Sequence, residues 1–428
     1  MRILTTTLCY PTPDQPDQGI FVQRRSLAVA AQARALRHSL GAGPDEAPVR
    51  VVAPIPWCPV LRADRHVPEQ RAPLPATYPR MLSVPVLSWG LDGLAFASTL
   101  CRTVQQMRRS GDDVDLIDAH FEYPDGVGAW LAARRLGLPI VVTLRGKLVS
   151  LSRRPGRRAQ IATMLRHADG LIAVSESLAN LARKVAGRDL DIDVIPNGVD
   201  ADVFCPLDRA QARAELGWEP TARYILCVGH YVHHKGFDRL LATVPKIRRI
   251  APDVRVVLVG SARREQPFVR ELHRIIQRDG TADAVTLHGP VDPATLNKMY
   301  NAADVCVNVS RSEGWCNTLS ESLSVGTPVV AFDVGGNREQ ICSQELGLLV
   351  PDGDLPALAR AVVAALSRRW NHVLIAAHGG ARGWPLVGRE VIRVFERVLD
   401  RHAAARSHAA RRENPGSLRP LATSGGAL

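Results

Sequence analysis

The sequence predicts an α/β fold made of two doubly wound parallel sheets, and three observations lead to this prediction. Short apolar runs rich in β-branched residues alternate with longer helical patterns, once in each half of the chain. The length of 428 residues suggests two or three domains of ordinary size. Hydrophobic residues make up 46% and charged residues 22%, close to globular averages, which argues against a fibre, a coiled coil or wholesale disorder.

Each run of the alternating pattern predicts one element. The predicted strands cover 2–8, 49–53, 114–119, 139–144, 170–174 and 193–195 in the first half, and 224–228, 254–259, 285–287, 305–309, 329–332 and 347–350 in the second. The predicted helices cover 22–37 and 127–136 in the first half, and 237–250, 267–279, 293–302, 317–325, 337–342 and 354–369 in the second. Because strands that alternate with helices pair in parallel, each half should form one sheet.

Interruptions of this pattern predict the domain boundaries. An N-terminal domain over 1–200 and a C-terminal domain over 223–385 are expected to be joined by a linker over 201–222, where Pro and Gly punctuate the chain. A C-terminal helix over 386–403 is expected to cross back to the first domain. Residues 404–428 turn to His, Ala and Arg and then to Gly, Ser and Pro, which predicts a disordered tail. A Pro-rich segment between the second and third strands is predicted to be irregular, covering 53–85.

The cysteines and the apolar runs predict a cytoplasmic protein. The eight cysteines include no Cys-x-x-Cys pair and lie mostly in apolar runs, so they are expected to be buried core residues that form neither disulfides nor a zinc site. The apolar run at the N-terminus is too short for a signal sequence. Since no uninterrupted apolar run reaches about 18 residues, no transmembrane helix is expected.

The chain is basic in both halves. The net charge is +12 (54 − 42), divided as +6 (25 − 19) up to residue 200 and +6 (29 − 23) after it. Aromatic residues make up 5% and do not interleave with basic runs, so nucleic acid is not an expected partner. An anionic membrane surface or a phosphate-bearing substrate fits the charge better, and a solvated Arg-rich surface is the alternative explanation.

The strongest chemical motif follows the fourth predicted strand of the second half. Gly314 lies in a turn there, and a helix begins near Asn317 or Thr318, whose free N–H groups and positive dipole end can hold a phosphate or a sugar hydroxyl. Glu313 precedes this helix and Glu321 lies inside it, so the two carboxylates could contact different ends of one polyol ligand. A pair of solvated glutamates without a function is the alternative.

This Glu-x₇-Glu spacing, followed by Gly326-Thr327-Pro328 and Gly335-Gly336, resembles the family 4 retaining glycosyltransferases. The resemblance covers about 1–398 and implies two Rossmann-like domains that face each other across a cleft, the GT-B architecture. It also implies that Glu313 contacts the transferred sugar as a catalytic residue and that Glu321 binds the ribose hydroxyls of the donor. The other donor-binding positions that it implies in this motif are Gly314, Cys316, Asn317 and Thr318.

A second segment that carries the resemblance follows the first strand of the second half. The run from Gly229 and His230 to Lys235 and Gly236 is similar to the family's G-R-x₄-K-G phosphate loop. The resemblance implies that Gly229, His230 and Lys235 bind the donor, and that Lys235 is catalytic because it neutralises the leaving diphosphate. His230 departs from the family's usual Arg, and a neutral imidazole offers a hydrogen bond without a charge. A metal site formed by His230, His233 and His234 is the alternative, although no Asp or Cys ligand has matching spacing.

The first half supplies further candidates. His120 ends a predicted strand at the position of the family's active-site His, which implies a catalytic contact with the donor sugar from the opposite domain. A structural histidine at a strand end is the alternative. Gly19, Arg145 and Lys147 are candidates for the acceptor side, Gly19 because it allows a close approach of the backbone, with a simple turn glycine as the alternative. The basic and apolar loop 145–158 suits a lipid-linked phosphate acceptor at the inner membrane surface, and an ordinary solvated loop is the alternative.

Patterns for metals and cofactors are weak. The D-x-D pairs Asp113/Asp115 and Asp352/Asp354 could hold a metal diphosphate, but the first lies at a strand and Asp354 is expected to cap a helix, so no metal site is predicted. No G-x-G-x-x-G follows the first strand and no G-x₄-G-K-[ST] occurs, which counts against NAD and ATP sites. No cofactor is expected besides the donor substrate, a nucleoside diphosphate sugar of the UDP or GDP type.

Together these features predict a retaining glycosyltransferase that moves a sugar to a hydroxyl of a polysaccharide or lipid-linked oligosaccharide, in the cytoplasm or peripherally at the inner face of the membrane. The start of the chain and the Thr-Leu-Arg-Gly segment look like members that build bacterial surface polysaccharides such as teichuronic acid. A sugar-nucleotide epimerase of the same architecture is one alternative, and it would convert a nucleotide sugar without any acceptor. A catalytically silent partner protein is the other, and it would show neither transfer nor donor hydrolysis.

Overall fold

Both predicted parallel sheets are present in the computed structural model of the protein, which describes residues 1–39, 47–58, 73–83, 90–151, 154–262 and 266–413. The strands of the N-terminal half are β1 (Ile3–Thr6), β2 (Val49–Val52), β3 (Ile55–Trp57), β4 (Ala76–Thr77), β5 (Arg80–Leu82), β6 (Leu116–His120), β7 (Ile140–Leu144), β8 (Gly170–Ala173) and β9 (Asp193–Val194). Seven of them form a parallel sheet in the order β4-β2-β1-β6-β7-β8-β9, and β3 and β5 form a small parallel pair.

The second sheet belongs to the C-terminal half. Its strands are β10 (Arg223–Val228), β11 (Val254–Val259), β12 (Val285–His288), β13 (Val305–Asn308), β14 (Val329–Phe332) and β15 (Gly347–Val350), and all six are parallel in the order β12-β11-β10-β13-β14-β15. The strand order reverses between β10 and β13 in this sheet, and between β1 and β6 in the other. Ligands of doubly wound sheets bind outside the carboxyl ends of strands at such reversals.

Continuous apolar runs form these strands because both faces of each sheet are covered. Adjacent residues of a strand point to opposite faces. In β1, Ile3 and Leu4 therefore belong to different core clusters, and in β10 Ile225 and Leu226 do the same. Each half thus has its own two-sided core, which supports a rigid sheet edge.

Helices cover the faces of both sheets. Those of the N-terminal half are α1 (Ile20–Ser39), α2 (Asp92–Arg109), α3 (Val127–Leu136), α4 (Leu148–Leu151), α5 (Pro155–His167) and α6 (Glu176–Ala186). The others are α7 (Arg209–Leu216), α8 (Phe237–Leu241), α9 (Val244–Ile250), α10 (Gln266–Arg278), α11 (Pro293–Ala302), α12 (Asn317–Ser324), α13 (Asn337–Gln340), α14 (Leu355–Ser367), α15 (His372–Gly380) and α16 (Trp384–Glu413). Among the described residues, no helix has the length and apolar character needed to cross a membrane.

The last helix joins the core of the N-terminal half. Val387, Val391 and Phe395 of α16 are buried in one cluster with Val22 and Val29 of α1. Burial of these side chains, at about 1.5–3 kcal/mol each, holds the C-terminal helix against the first sheet. The helix was predicted over 386–403 and extends to Glu413, so part of the predicted tail is helical, whereas 414–428 lies outside the described residues.

One predicted helix of the second half is interrupted. The sequence predicts a single helix over 237–250, and the structure has α8 and α9 instead. Pro245 is the reason, because proline has no N–H to donate in a helix interior but is tolerated in the first turn, where it lies at the start of α9.

Three segments predicted to be without regular structure contain elements. The Pro-rich segment 53–85 contributes β3, β4 and β5, because an extended chain there pairs with neighbouring strands; its residues 59–72 and 84–85 lie outside the described ones. The basic loop predicted over 145–158 forms α4 and the first turn of α5, which begins with Pro155 as helices often do, and Arg153 lies outside the described residues. The predicted linker contains α7, capped by the Asp208 side chain, which accepts a hydrogen bond from the Gln211 N–H.

Candidate active site

The carboxyl ends of β10 and β13 bring two predicted residues together. The Lys235 Nζ donates to the Glu313 Oε1 at 2.7 Å, and the Ser310 Oγ donates to the same oxygen at 2.7 Å. The Glu313 side chain is 9% exposed and that of Lys235 is 23% exposed. Burial alone would raise the pKa of Glu313, but the charge and hydrogen bond of Lys235 outweigh it and hold this pKa below its ordinary value. Both groups are therefore charged at neutral pH.

The helix that follows β13 begins as predicted. Asn317 is the first residue of α12, and the preceding Cys316 is extended and 2% exposed. The Cys316 Sγ lies 3.1 Å from the Thr318 Oγ1, which holds the start of the helix in place. The helix is eight residues long, and the free N–H groups of its first turn form an electropositive end beside the Lys235 and Glu313 pair.

Glu321 lies inside the same helix, away from Glu313. The Tyr300 hydroxyl, which is fully buried, donates to the Glu321 Oε2 at 2.9 Å. Burial raises the pKa of Glu321 to about 7, although the Tyr300 hydrogen bond and the charge of Arg24 act in the opposite direction. A carboxyl held in this way by one hydrogen bond can accept further hydrogen bonds from hydroxyl groups.

We expect Glu321→Gln to stabilise the protein at alkaline pH by about 1–2 kcal/mol relative to the parent. Between pH 4.5 and about 7 the folded parent binds more protons than the unfolded chain, so its stability falls as the pH rises through this window. The glutamine stays neutral and still accepts from Tyr300. Urea unfolding at pH 5 and pH 8.5 measures the effect, and an equal pH dependence of parent and variant would contradict it.

The loop that carries His230 meets the N-terminal half. The His230 Nδ1 lies 3.0 Å from the Ser261 Oγ and 3.7 Å from the Asp17 Oδ2, which belongs to the loop between β1 and α1. Gly19 of that loop has φ +69°, and a Cβ on it would lie 2.0 Å from the Cys9 carbonyl oxygen. Glycine is therefore required there to keep the loop close to β1. Gly229, before His230, donates its N–H to the Val259 carbonyl at 2.9 Å.

His120 lies in a buried network and not at the surface of the cleft. The side chain is fully buried; its Nε2 lies 3.1 Å from the Asp118 Oδ2, and its Nδ1 accepts from the Arg145 Nε at 2.9 Å. Burial lowers the pKa of His120 to about 3, outweighing the opposite effect of Asp118. The imidazole is thus neutral with the proton on Nε2, and in this conformation it does not contact the cleft directly.

Arg145 and Lys147, predicted for the acceptor side, lie at the end of β7. The Arg145 and Gly146 N–H groups both donate to the Glu122 Oε1, at 3.0 and 3.3 Å. Lys147 is exposed, with its Nζ 4.5 Å from the centre of the Phe121 ring. A Cβ on Gly146 would lie 2.9 Å from the Gly314 N, so the two halves touch here through their backbones.

Several residues of this region were not predicted from the sequence. Asp118 and Arg25 are buried partners of His120 and Thr143, and Asn197 lies between the two halves. Glu339 of α13 accepts from the Glu176 N–H at 2.8 Å and from the Ser177 N–H at 3.0 Å, at the start of α6 in the other half. Among the residues that the structure describes, no three His, Cys, Asp or Glu side chains form a group that could hold a metal ion.

Comparison with known proteins agrees with this geometry. The family model described as "Glycosyltransferase Family 4" matches residues 47–203, and the model described as "Glycosyl transferases group 1" matches residues 222–368. The D-inositol 3-phosphate glycosyltransferase of Segniliparus rotundus is 32% identical over 311 residues, which cover 69% of each chain. The enzyme of that name from Xylanimonas cellulosilytica is 30% identical over 353 residues, 76% of this chain and 83% of the relative.

Solved structures share the fold. Sucrose-phosphate synthase from Thermosynechococcus elongatus superposes with a TM-score of 0.75 at 21% identity, over 94% of this chain and 99% of that one. Anabaena HepE in complex with UDP and glucose gives a TM-score of 0.70 at 20% identity, over 92% of this chain and 99% of that one. These similarities confirm the prediction of two facing parallel-sheet domains.

Proposed function

This chain belongs to the family 4 glycosyltransferases, and from this membership we propose that it transfers a sugar from a nucleoside diphosphate sugar to an acceptor hydroxyl with retention at the anomeric carbon. The observation that carries the proposal is the contact between Lys235 and Glu313 beside the start of α12. A cation, a carboxylate and free helix N–H groups at one sheet edge suit a diphosphate joined to a polyol.

In the proposed reaction the bond between the anomeric carbon and the diphosphate oxygen breaks, and a bond from that carbon to the acceptor oxygen forms on the same face. The acceptor proton passes to the leaving diphosphate. Lys235 and the first turn of α12 stabilise the negative charge that develops on the diphosphate. Glu313 positions the sugar hydroxyls, and Glu321 accepts hydrogen bonds from the ribose.

One cavity and the names of the relatives bear on the acceptor. A cavity of about 510 Å³ opens between the halves beside Glu313, with Lys184 of α6 and Arg311 in its lining and Leu178 and Leu181 as apolar wall. Arg311 is paired with Asp238, so Lys184 supplies the charge by which this lining suits a hydroxylated acceptor that bears an anionic group. Within the acceptor class that the sequence predicts, an acidic polysaccharide and a lipid-linked oligosaccharide with its phosphate have this chemistry. D-inositol 3-phosphate, for which the relatives are named, has it too.

Peripheral contact with an anionic membrane is part of the same proposal. Leu91 and Leu94 are 58% and 56% exposed at the start of α2, where Arg157 of α5 lies 3.6 Å from Asp92. Arg157 is paired with Asp92, but Arg154 and Arg158 at the same end of α5 are exposed. Exposed apolar side chains together with these arginines favour an anionic lipid surface. Transfer to an acceptor in vesicles of phosphatidylglycerol, compared with transfer to a soluble phosphorylated polyol, separates the two sources of acceptor.

The first experiment is a thermal-shift screen with UDP, GDP and ADP and their glucose conjugates. We expect one nucleotide class to stabilise the protein, by about 2.7 kcal/mol at a concentration 100 times its Kd. The nucleotide sugar of that class is then incubated with and without acceptors. An epimerised sugar without acceptor would favour the epimerase, and binding without transfer or hydrolysis would favour the silent partner. If none of these ligands stabilises the protein, the proposed function is contradicted.

A further inference from the structure

Asn197 connects the two halves at the candidate active site. It follows β9, is 7% exposed, and accepts at its Oδ1 from the Arg145 Nη1 at 2.9 Å. Its Nδ2 donates to the Oδ1 of Asn317, the first residue of α12, also at 2.9 Å. We propose that Asn197 is a positioning residue, which makes Asn317 present its amide NH₂ to the donor substrate. This inference rests on the proposed function of the site.

The direction of this chain of hydrogen bonds is imposed by Arg145. A guanidinium has donors and no acceptor, so the amide of Asn197 must turn its oxygen towards Arg145 and its nitrogen away from it. Burial lowers the pKa of Arg145 to about 9, which still leaves the side chain protonated at neutral pH. Arg145 itself is held by the hydrogen bond from its Nε to His120. The amide of Asn197 therefore has one orientation.

The same reasoning applies to the next amide. Because the Nδ2 of Asn197 is a donor, Asn317 must turn its Oδ1 towards it, which leaves the Nδ2 of Asn317 to face a ligand. This group lies on the first turn of α12, beside the free N–H groups of the helix. A diphosphate or a sugar offers oxygen acceptors, so this orientation favours the donor, whereas the reverse orientation would place the Oδ1 against phosphate oxygens.

The contact also depends on how closely the halves approach. Asn197 and Arg145 belong to the N-terminal half and Asn317 to the other, and the nearby Gly146 and Gly314 backbones are in contact. The orientation of Asn317 is consequently imposed only while the halves are together. The buried network around His120 thereby acts on the donor site through Arg145 and Asn197, without touching the donor.

Asn197→Asp tests the inference because it keeps the shape and replaces the Nδ2 donor by an acceptor; the negative charge that it also adds is the same in both backgrounds of a double-mutant cycle with Asn317. The aspartate pairs with Arg145 on one oxygen and accepts from Asn317 on the other, so Asn317 rotates and presents its Oδ1 to the donor. We expect the Kd for UDP, measured by titration calorimetry, to rise about tenfold or more. GDP or ADP replaces UDP if the thermal-shift screen selects it.

A double-mutant cycle distinguishes this role from a general structural one. In the Asn317→Ala background, Asn197→Asp should raise the Kd for the nucleotide by a smaller factor than in the parent, since no amide remains to be oriented and only the added charge acts. Equal effects in both backgrounds would overturn the inference. If Asn197→Asp does not fold, Asn197→Ala is the second variant. It should raise the Kd by a smaller factor, and this rise should disappear in the Asn317→Ala background. If the parent binds no nucleotide, the proposed function fails; if the parent binds and Asn197→Asp binds equally well, only this inference fails.

Discussion

Lys235→Met is expected to lower the rate of sugar transfer by about 10²–10³-fold, because it removes the charge that faces the leaving diphosphate. The methionine keeps most of the apolar length of lysine and loses only the ammonium group. The measurement is the release of nucleoside diphosphate from the nucleotide sugar selected in the thermal-shift screen. Transfer at the parental rate would exclude the proposed role of Lys235.

The same substitution leaves the Glu313 carboxylate, 9% exposed, without its cation. An unpaired buried group of this kind costs about 1–3 kcal/mol, so the variant should also be less stable. Without Lys235, burial would raise the pKa of Glu313 above that of the unfolded chain, and the loss of stability should therefore grow as the pH rises. Lys235→Met combined with Glu313→Gln is the matched control. It should recover much of the stability and none of the transfer, which separates the chemical role from folding.

Arg25→Met is expected to lower the free energy of unfolding by about 3–5 kcal/mol at pH 7.5. The Arg25 side chain is 3% exposed and the Asp118 side chain 2% exposed, with 3.3 Å between the Nη2 and the Oδ1. Arg25 also donates to the Thr143 Oγ1 at 2.5 Å. Its loss leaves the charge of Asp118 buried, with hydrogen bonds from His120 and Thr5 and with the charge of Arg145 farther away. Urea unfolding followed by circular dichroism measures the change.

The pH dependence of the free energy of unfolding checks whether the buried charge of Asp118 causes this loss. Burial acts to raise the pKa of Asp118, but Arg25 and His120 outweigh it and hold the pKa at about 2. The resulting stability is present above about pH 4 and is lost as the pH falls towards 2. In Arg25→Met the carboxyl protonates more readily, so the variant should differ from the parent less at pH 4 than at pH 7.5. A loss below 1 kcal/mol at pH 7.5 would contradict the prediction, and Arg25→Met with Asp118→Asn should recover part of the stability.

Much of the site was predictable because its motifs lie within short stretches of chain. Glu313 and Asn317 lie in one turn between a strand and a helix, and Lys235 lies in a short segment after a strand that resembles the family's phosphate loop. The carboxyl ends of parallel strands meet at one edge, so placing these residues there required no knowledge of packing.

The rest depended on contacts that local patterns do not contain. Asp118 and Arg25 lie 93 positions apart, and Asn197 and Asn317 are separated by 120. Nothing in the local sequence indicates that either pair meets. For the same reason the sequence did not indicate the buried network of Asp118 and Arg145 around His120, whose contact with the donor sugar stays a prediction.

The sequence by itself determined the two parallel sheets, the order of their elements and the loops that carry Lys235, Glu313 and Asn317, because hydrophobic periodicity and turn residues act over a few positions. Only the tertiary structure decided which side chains meet across the halves and which of them are charged. Protonation depends on burial and on charges within a few ångströms, as the contrast between Glu313 and Glu321 shows. These two glutamates of one motif differ in the direction of their pKa shifts because Lys235 reaches only the first.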